Sequence, residues 1–137
     1  MNSQFTDTFR KGSTTFFNSS LFFPAAMREK VTRLYAFVRE ADDYVDRIPP
    51  DEAGFFRFKE AYRAAVKGAD EGPAVVRSFV QLEAECHFQP AWARSFLDAM
   101  EQDLTKSRYE TLEETLAYIY GSAEVVGLMM ARIMELP

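Results

Sequence analysis

Leu34-Tyr35-Ala36-Phe37-Val38-Arg39-Glu40-Ala41-Asp42-Asp43-Tyr44-Val45-Asp46 is the stretch that decides this fold. A helix turns about 100° per residue. Val31, Leu34, Val38, Ala41 and Val45 then share one side, and this apolar stripe predicts a helix buried along it. Tyr35, Arg39, Asp42 and Asp46 fall together on the shoulder of that stripe, whereas Asp43 points away from it. A charge face meant only for water would lie opposite the stripe.

Carboxylates beside a core face lose hydration, and neighbouring ones repel. A cation has to answer them. Arg39 could neutralise one aspartate as an ion pair. A divalent ion answers both, because Asp42 and Asp46 lie four residues apart and point the same way. Mg²⁺ accepts carboxylate oxygens while keeping waters and substrate phosphates. Two acids and an arginine on one face therefore suggest a metal-bridged phosphate ester.

Outward from this stretch, every strong periodic segment is helical and no alternating strand pattern occurs. Thr6 to Ser20 mixes Phe with Ser and Thr and reads as a helix followed by a turn. Pro24 opens the long segment that runs to Asp46, as a proline at the first helical position does. Pro49-Pro50-Asp51 ends it and caps a helix carrying Phe55, Phe58, Tyr62, Ala65 and Val66 on one side. Asp70-Glu71-Gly72-Pro73 is a loop, and Pro73 starts a helix to about Phe88 with Val76, Phe79, Val80 and Leu82 inward.

Pro90 starts another helix, with Ala93, Phe96, Leu97, Met100 and Leu104 in register. Thr111-Leu112-Glu113-Glu114 is a capping box. It opens a last helix whose apolar positions include Leu112, Leu116, Ile119, Tyr120, Ala123, Val126, Gly127 and Met130. Short loops between helices argue for antiparallel neighbours in a bundle. With no repeat and no linker, residues 1–137 read as a single all-α domain.

Composition narrows the function. The 137 residues are 47% hydrophobic and 27% charged, the balance of a soluble globular protein. The 13 phenylalanines serve either as bulk for a helical core or as walls for a large apolar ligand. A net charge of −5 without any basic stripe argues against nucleic acid as a partner. Cys86 has no second cysteine to pair with and suits a reducing cytoplasm. His87 beside it is the only histidine, so the pair reads as structural rather than as a metal or catalytic site. The apolar patch from Phe16 to Met27 is too short to span a bilayer, and the protein is expected in the cytoplasm.

Three stretches resemble the squalene/phytoene synthase family of head-to-head isoprenoid synthases. Gly12-Ser13-Thr14-Thr15-Phe16-Phe17 is similar to its amino-terminal substrate-lining segment. Tyr-Ala-Phe-x-Arg-x-x-Asp-Asp-x-x-Asp over residues 35–46 is similar to its first aspartate-rich motif. Asp103 to Met130 carries Asp-Leu-Thr, Arg-Tyr and Tyr-x-Tyr-Gly-x-Ala-x-x-Val-Gly-Leu-Met in the family's order.

The resemblance implies a helical bundle of the isoprenoid synthase type around a long apolar cavity, of which this chain would be the amino-terminal part. It implies a Mg²⁺-dependent prenyl transferase that condenses two prenyl diphosphates, farnesyl or geranylgeranyl, head to head in isoprenoid and carotenoid biosynthesis. Asp42 and Asp46 would hold Mg²⁺ on the diphosphate, Arg39 would touch phosphate oxygens, and Tyr35 would stand near the reacting carbons. Ser13, Thr15, Phe16 and Phe17 would contact substrate from the first stretch, and Tyr120, Ala123, Val126 and Gly127 would line the prenyl channel.

This chain departs from the pattern at Glu124, an acid where the family commonly has glycine. The family's second aspartate-rich motif does not occur before Pro137. The chain alone is therefore expected to be inactive, with a non-catalytic prenyl diphosphate or lipid-binding module as the alternative. Peripheral membrane contact through a lipophilic product is a further expectation. So is self-association of the isolated chain through Ile119, Val126, Met130, Ile133 and Met134.

Overall fold

The computed structural model describes residues 24–105 and 111–135. Among them every regular element is helical: α1 (Ala25–Asp46), α2 (Glu52–Val66), α3 (Ala74–Cys86), α4 (Pro90–Thr105), α5 (Leu112–Ile119) and α6 (Val125–Ile133). A π-helical turn, Tyr120–Glu124, joins α5 to α6 without a break. The expected helix across Thr6 to Ser20, and with it Ser13, Thr15, Phe16 and Phe17, lies outside the described residues.

The local chemistry of each terminus explains its position. Pro24 caps α1 rather than occupying its first turn. The Asp51 carboxylate accepts a 2.9 Å hydrogen bond from the Gly54 amide and so satisfies one of the orphan donors opening α2. Thr111 does the same for α5, its hydroxyl oxygen accepting from the Glu114 amide at 3.1 Å. Helix α3 stops at Cys86, two residues before the expected end, because His87 adopts the left-handed conformation at φ 57°. From there the Phe88 amide returns to the Glu83 carbonyl, a left-handed helix terminus.

Helix α1 is the central element and packs on α2, α3, α4 and α6. Its buried face is Val31, Leu34, Phe37, Ala41 and Val45. Phe37 replaces the expected Val38, which is only half-buried. The reason is visible around the ring: Phe37 stacks on Phe79 of α3 at 3.9 Å and 9°. It also meets Phe58 of α2 at 5.0 Å and Phe96 of α4 at 6.2 Å. An aromatic ring reaches three neighbouring helices where a valine cannot. Much of the phenylalanine surplus thus forms a core.

The last helix buries a side that its apolar positions did not single out. Gly121, Val125, Met129 and Ile133 are inside. Leu112, Leu116, Ile119 and Tyr120 are exposed, Leu112 by 73%. Ile133 therefore drops out of the expected uncovered stripe. Gly121 sets the choice, because a Cβ there would collide with the Ser95 carbonyl oxygen and lie 2.8 Å from the Ala99 Cβ. Only glycine lets the π-turn seat on α4 at that point. The whole run Leu112–Ile133 has the length and apolar composition to cross a membrane.

Candidate functional site

The second half of α1 carries the expected cluster. Tyr35, Arg39, Asp42 and Asp46 are all half-buried, and Asp43 is exposed. The pairing of burial with acidity is the informative feature. Burial pushes the Asp42 carboxyl up to about 6, with Asp46, Asp43 and Asp103 adding repulsion in that order. Asp46 is raised as well, first by burial, then by Asp103 and Asp43.

Asp103 is the residue that helical periodicity on α1 could not reveal. It stands near the end of α4, at the head of the third motif stretch, and its field reaches both Asp42 and Asp46. Its signal in the sequence was position rather than pattern: an acid in line with Ala93, Phe96 and Met100, one turn beyond the buried run. The Tyr118 hydroxyl donates to an Asp103 carboxylate oxygen at 2.7 Å. That bond ties α5 to the acidic cluster.

Three carboxylates from α1 and α4 thus share one locality, where Asp103 adds its repulsion to both Asp42 and Asp46. Such a donor set suits a hard divalent cation, which takes carboxylate oxygen and removes the repulsion. Among the described residues no group of three or more His, Cys, Asp or Glu side chains closes on a single ion.

On the last helix, Tyr120, Ala123 and Gly127 are exposed and Val126 is half-buried, so all four can meet a ligand laid along that face. Glu124 is exposed too, and its charge costs little in water. Cys86 is buried and His87 is exposed at the helix end, with no further Cys or His beside them in sequence. They serve the end of α3.

Comparison with known proteins places these features in context. Residues 9–137 match the family profile Squalene/phytoene synthase. A phytoene synthase of Pseudescherichia vulneris is 33% identical over 94% of this chain and 45% of its own length. A 15-cis-phytoene synthase of Pantoea ananas is 30% identical over 93% of this chain and 45% of its own. A hydroxysqualene synthase of Rhodopseudomonas palustris is 31% identical over 75% of this chain and 35% of its own. The chain spans somewhat under half the length of the relatives it matches most fully. No solved structure matches.

Proposed function

The chain belongs to the squalene/phytoene synthase family, and from that premise we propose that it forms the diphosphate-handling half of a head-to-head prenyl transferase acting on farnesyl or geranylgeranyl diphosphate. The observation that carries this reading is the gathering of Asp42, Asp46 and Asp103, with the pKa raised at the first two by burial and mutual repulsion. Perturbed groups of this kind collect where chemistry is done. The relatives named for phytoene and hydroxysqualene synthesis agree with it.

In this reading Asp42 and Asp46 are the Mg²⁺ ligands. Mg²⁺ supplies Lewis-acid stabilisation of the charge that grows on a departing diphosphate. The chain's own residues do the rest. Arg39 contacts phosphate oxygens with a fixed fork of donors. Tyr35 offers a π face beside the reacting carbons, where positive charge develops. Tyr118 holds Asp103 in place through its hydroxyl. Tyr120, Ala123, Val126 and Gly127 form a surface of mostly small side chains along which a prenyl tail lies. Ser13, Thr15, Phe16 and Phe17 of the first motif stretch contribute further substrate contacts. The protein works in the cytoplasm, and its lipophilic product brings it to the membrane surface.

The test is release of diphosphate by the whole protein from farnesyl or geranylgeranyl diphosphate. Release should require a divalent metal and fall by at least a hundredfold in Asp42→Asn, the scale of one lost electrostatic clamp. Full turnover by that variant would remove Asp42 from the metal site. Titration of the 137-residue chain with a diphosphate analogue distinguishes the second reading, a non-catalytic module. Mg²⁺-dependent binding without release by the whole protein would establish that one instead.

A further inference from the structure

Away from the carboxylates, α2 and the first half of α4 enclose a cleft of about 570 Å³. Its apolar lining is the buried Leu97 and Tyr62 ring, with the exposed Val66 beside them. Its exposed charged lining is Arg63, Lys67 and Arg94, with one acid, Asp98, beside them. Arg94 and Asp103 are nine residues apart on α4, roughly 13 Å along the axis, so this cleft is a separate place from the acidic cluster.

The rim charges are unevenly used. Lys59, deeper in the cleft, is committed: its ammonium meets Glu101 at 2.7 Å and Asp98 at 3.6 Å. Arg63 has Glu60, one turn back on its own helix, at 3.6 Å. Lys67 and Arg94 form no side-chain ion pair or hydrogen bond among the described residues, although Arg94 lies close enough to act on the Tyr62 phenol. Tyr62 itself is held, donating to Glu83 at 2.8 Å, so the floor is fixed while the rim is available.

An acidic protein of net charge −5 has here gathered cations on the two sides of one concavity. Like charges facing each other across a cleft are relieved by an anion, and guanidinium beside ammonium suits phosphate oxygens. The volume and apolar floor suit a ligand with a hydrocarbon or aromatic body. We propose that the cleft between α2 and α4 binds an organic phosphate with an apolar body, gripped by Arg63, Lys67 and Arg94 and seated on Val66 and Leu97.

The ligand is either a soluble phosphate ester or the headgroup of an acidic lipid. The chemistry is common to both, and the experiment has an arm for each. The chain is titrated with decyl phosphate below its micelle concentration, in EDTA so that the carboxylate site contributes nothing. It is also floated with vesicles of phosphatidylcholine, with and without phosphatidic acid. Decyl phosphate should bind at least tenfold more tightly than inorganic phosphate. The double variant Lys67→Gln/Arg94→Gln should weaken it at least tenfold, while Asp42→Asn changes it less than twofold. Both substituted positions are exposed, and equal melting temperatures would show that the fold survives.

A soluble ligand is identified if decyl phosphate binds and the vesicles do not. A lipid headgroup is identified if phosphatidic acid vesicles also bind and the double variant releases them. Binding indifferent to the double variant, or lost in Asp42→Asn, overturns the proposal. So does failure of both probes to bind.

Discussion

The Tyr118 hydroxyl and the Asp103 carboxylate, 2.7 Å apart, join the helix after the 106–110 segment to the helix before it, beside two acids of α1. One hydrogen bond therefore serves both the packing of α5 and the posture of the acidic cluster. Tyr118→Phe should cost about 1 kcal/mol of stability, the usual worth of such a bond. It should also weaken Mg²⁺ binding severalfold, because Asp103 loses a fixed orientation. Chemical denaturation and magnesium titration read the two effects. A variant that loses stability but keeps its Mg²⁺ affinity would separate Tyr118 from the site.

The acids impose a pH dependence whose sign follows from their direction. Asp42 sits at about 6 in the fold against 3.8 for its ordinary value, so the native state favours its protonated form. Stability linked to it is present below about 4 and is lost as pH rises through about 6. The metal-free chain should thus unfold more easily at neutral than at mildly acidic pH. Asp42→Asn should flatten that part of the profile, and added Mg²⁺ should restore stability on the neutral side. A metal-free profile that rises steadily from pH 4 to 7 would contradict the burial of Asp42.

Glu83 contributes over a higher window. Burial pushes its carboxyl up to about 7 from 4.5, although the Tyr62 hydroxyl donating to it acts in the opposite direction. The linked stability is lost between about 4.5 and 7 as pH rises. Glu83→Gln keeps an acceptor for Tyr62 and removes the charge, so the slope between pH 6 and 7 should lessen. Melting temperatures at half-unit intervals test this independently of any metal.

Two glycines of one helix should respond in opposite senses. Gly121→Ala drives a methyl group into the Ser95 carbonyl and Ala99 of α4, and should cost about 1–3 kcal/mol by overpacking. Gly127 has no heavy atom within 4 Å of a built Cβ. Gly127→Ala should therefore stabilise the chain by roughly 0.5–1 kcal/mol through helix propensity. If Gly127 also faces a prenyl tail, the same change should weaken binding of the longer diphosphate. Equilibrium unfolding with parallel titrations gives both signs in one series.

The exposed side of α5 and α6 carries Leu112, Leu116, Ile119, Tyr120 and Leu128, each at least 39% accessible. We expect the 137-residue chain to self-associate through it, since apolar patches of this kind seldom stay in water. Leu116→Lys with Ile119→Lys should return the chain to a monomer in sedimentation and reduce its binding of a hydrophobic dye. A compact wild-type monomer that ignores the dye would refute the expectation.

Helix starts and stops were legible because capping is local: Asp51 and Thr111 act within three residues of themselves. The α3 terminus was harder, since nothing in Cys86-His87 announces a left-handed residue in the way glycine would. The acids on α1 were legible from spacing alone. Their third companion was not, because Asp103 meets them only after α4 has packed. The last helix misled for a physical reason. A π-turn advances fewer degrees per residue than an α-turn, so Gly121 and Val125 stay on one face and α6 begins rotated from where a strictly α-helical wheel would place it.

The stacked ring of Phe37 has a consequence for the precision of the acidic residues. Asp42 follows it by five residues, roughly 7.5 Å of helix rise. Phe37 touches aromatic rings from α2, α3 and α4 at once. The position of the carboxylate along α1 is therefore set by three helices at once rather than by its own helix alone.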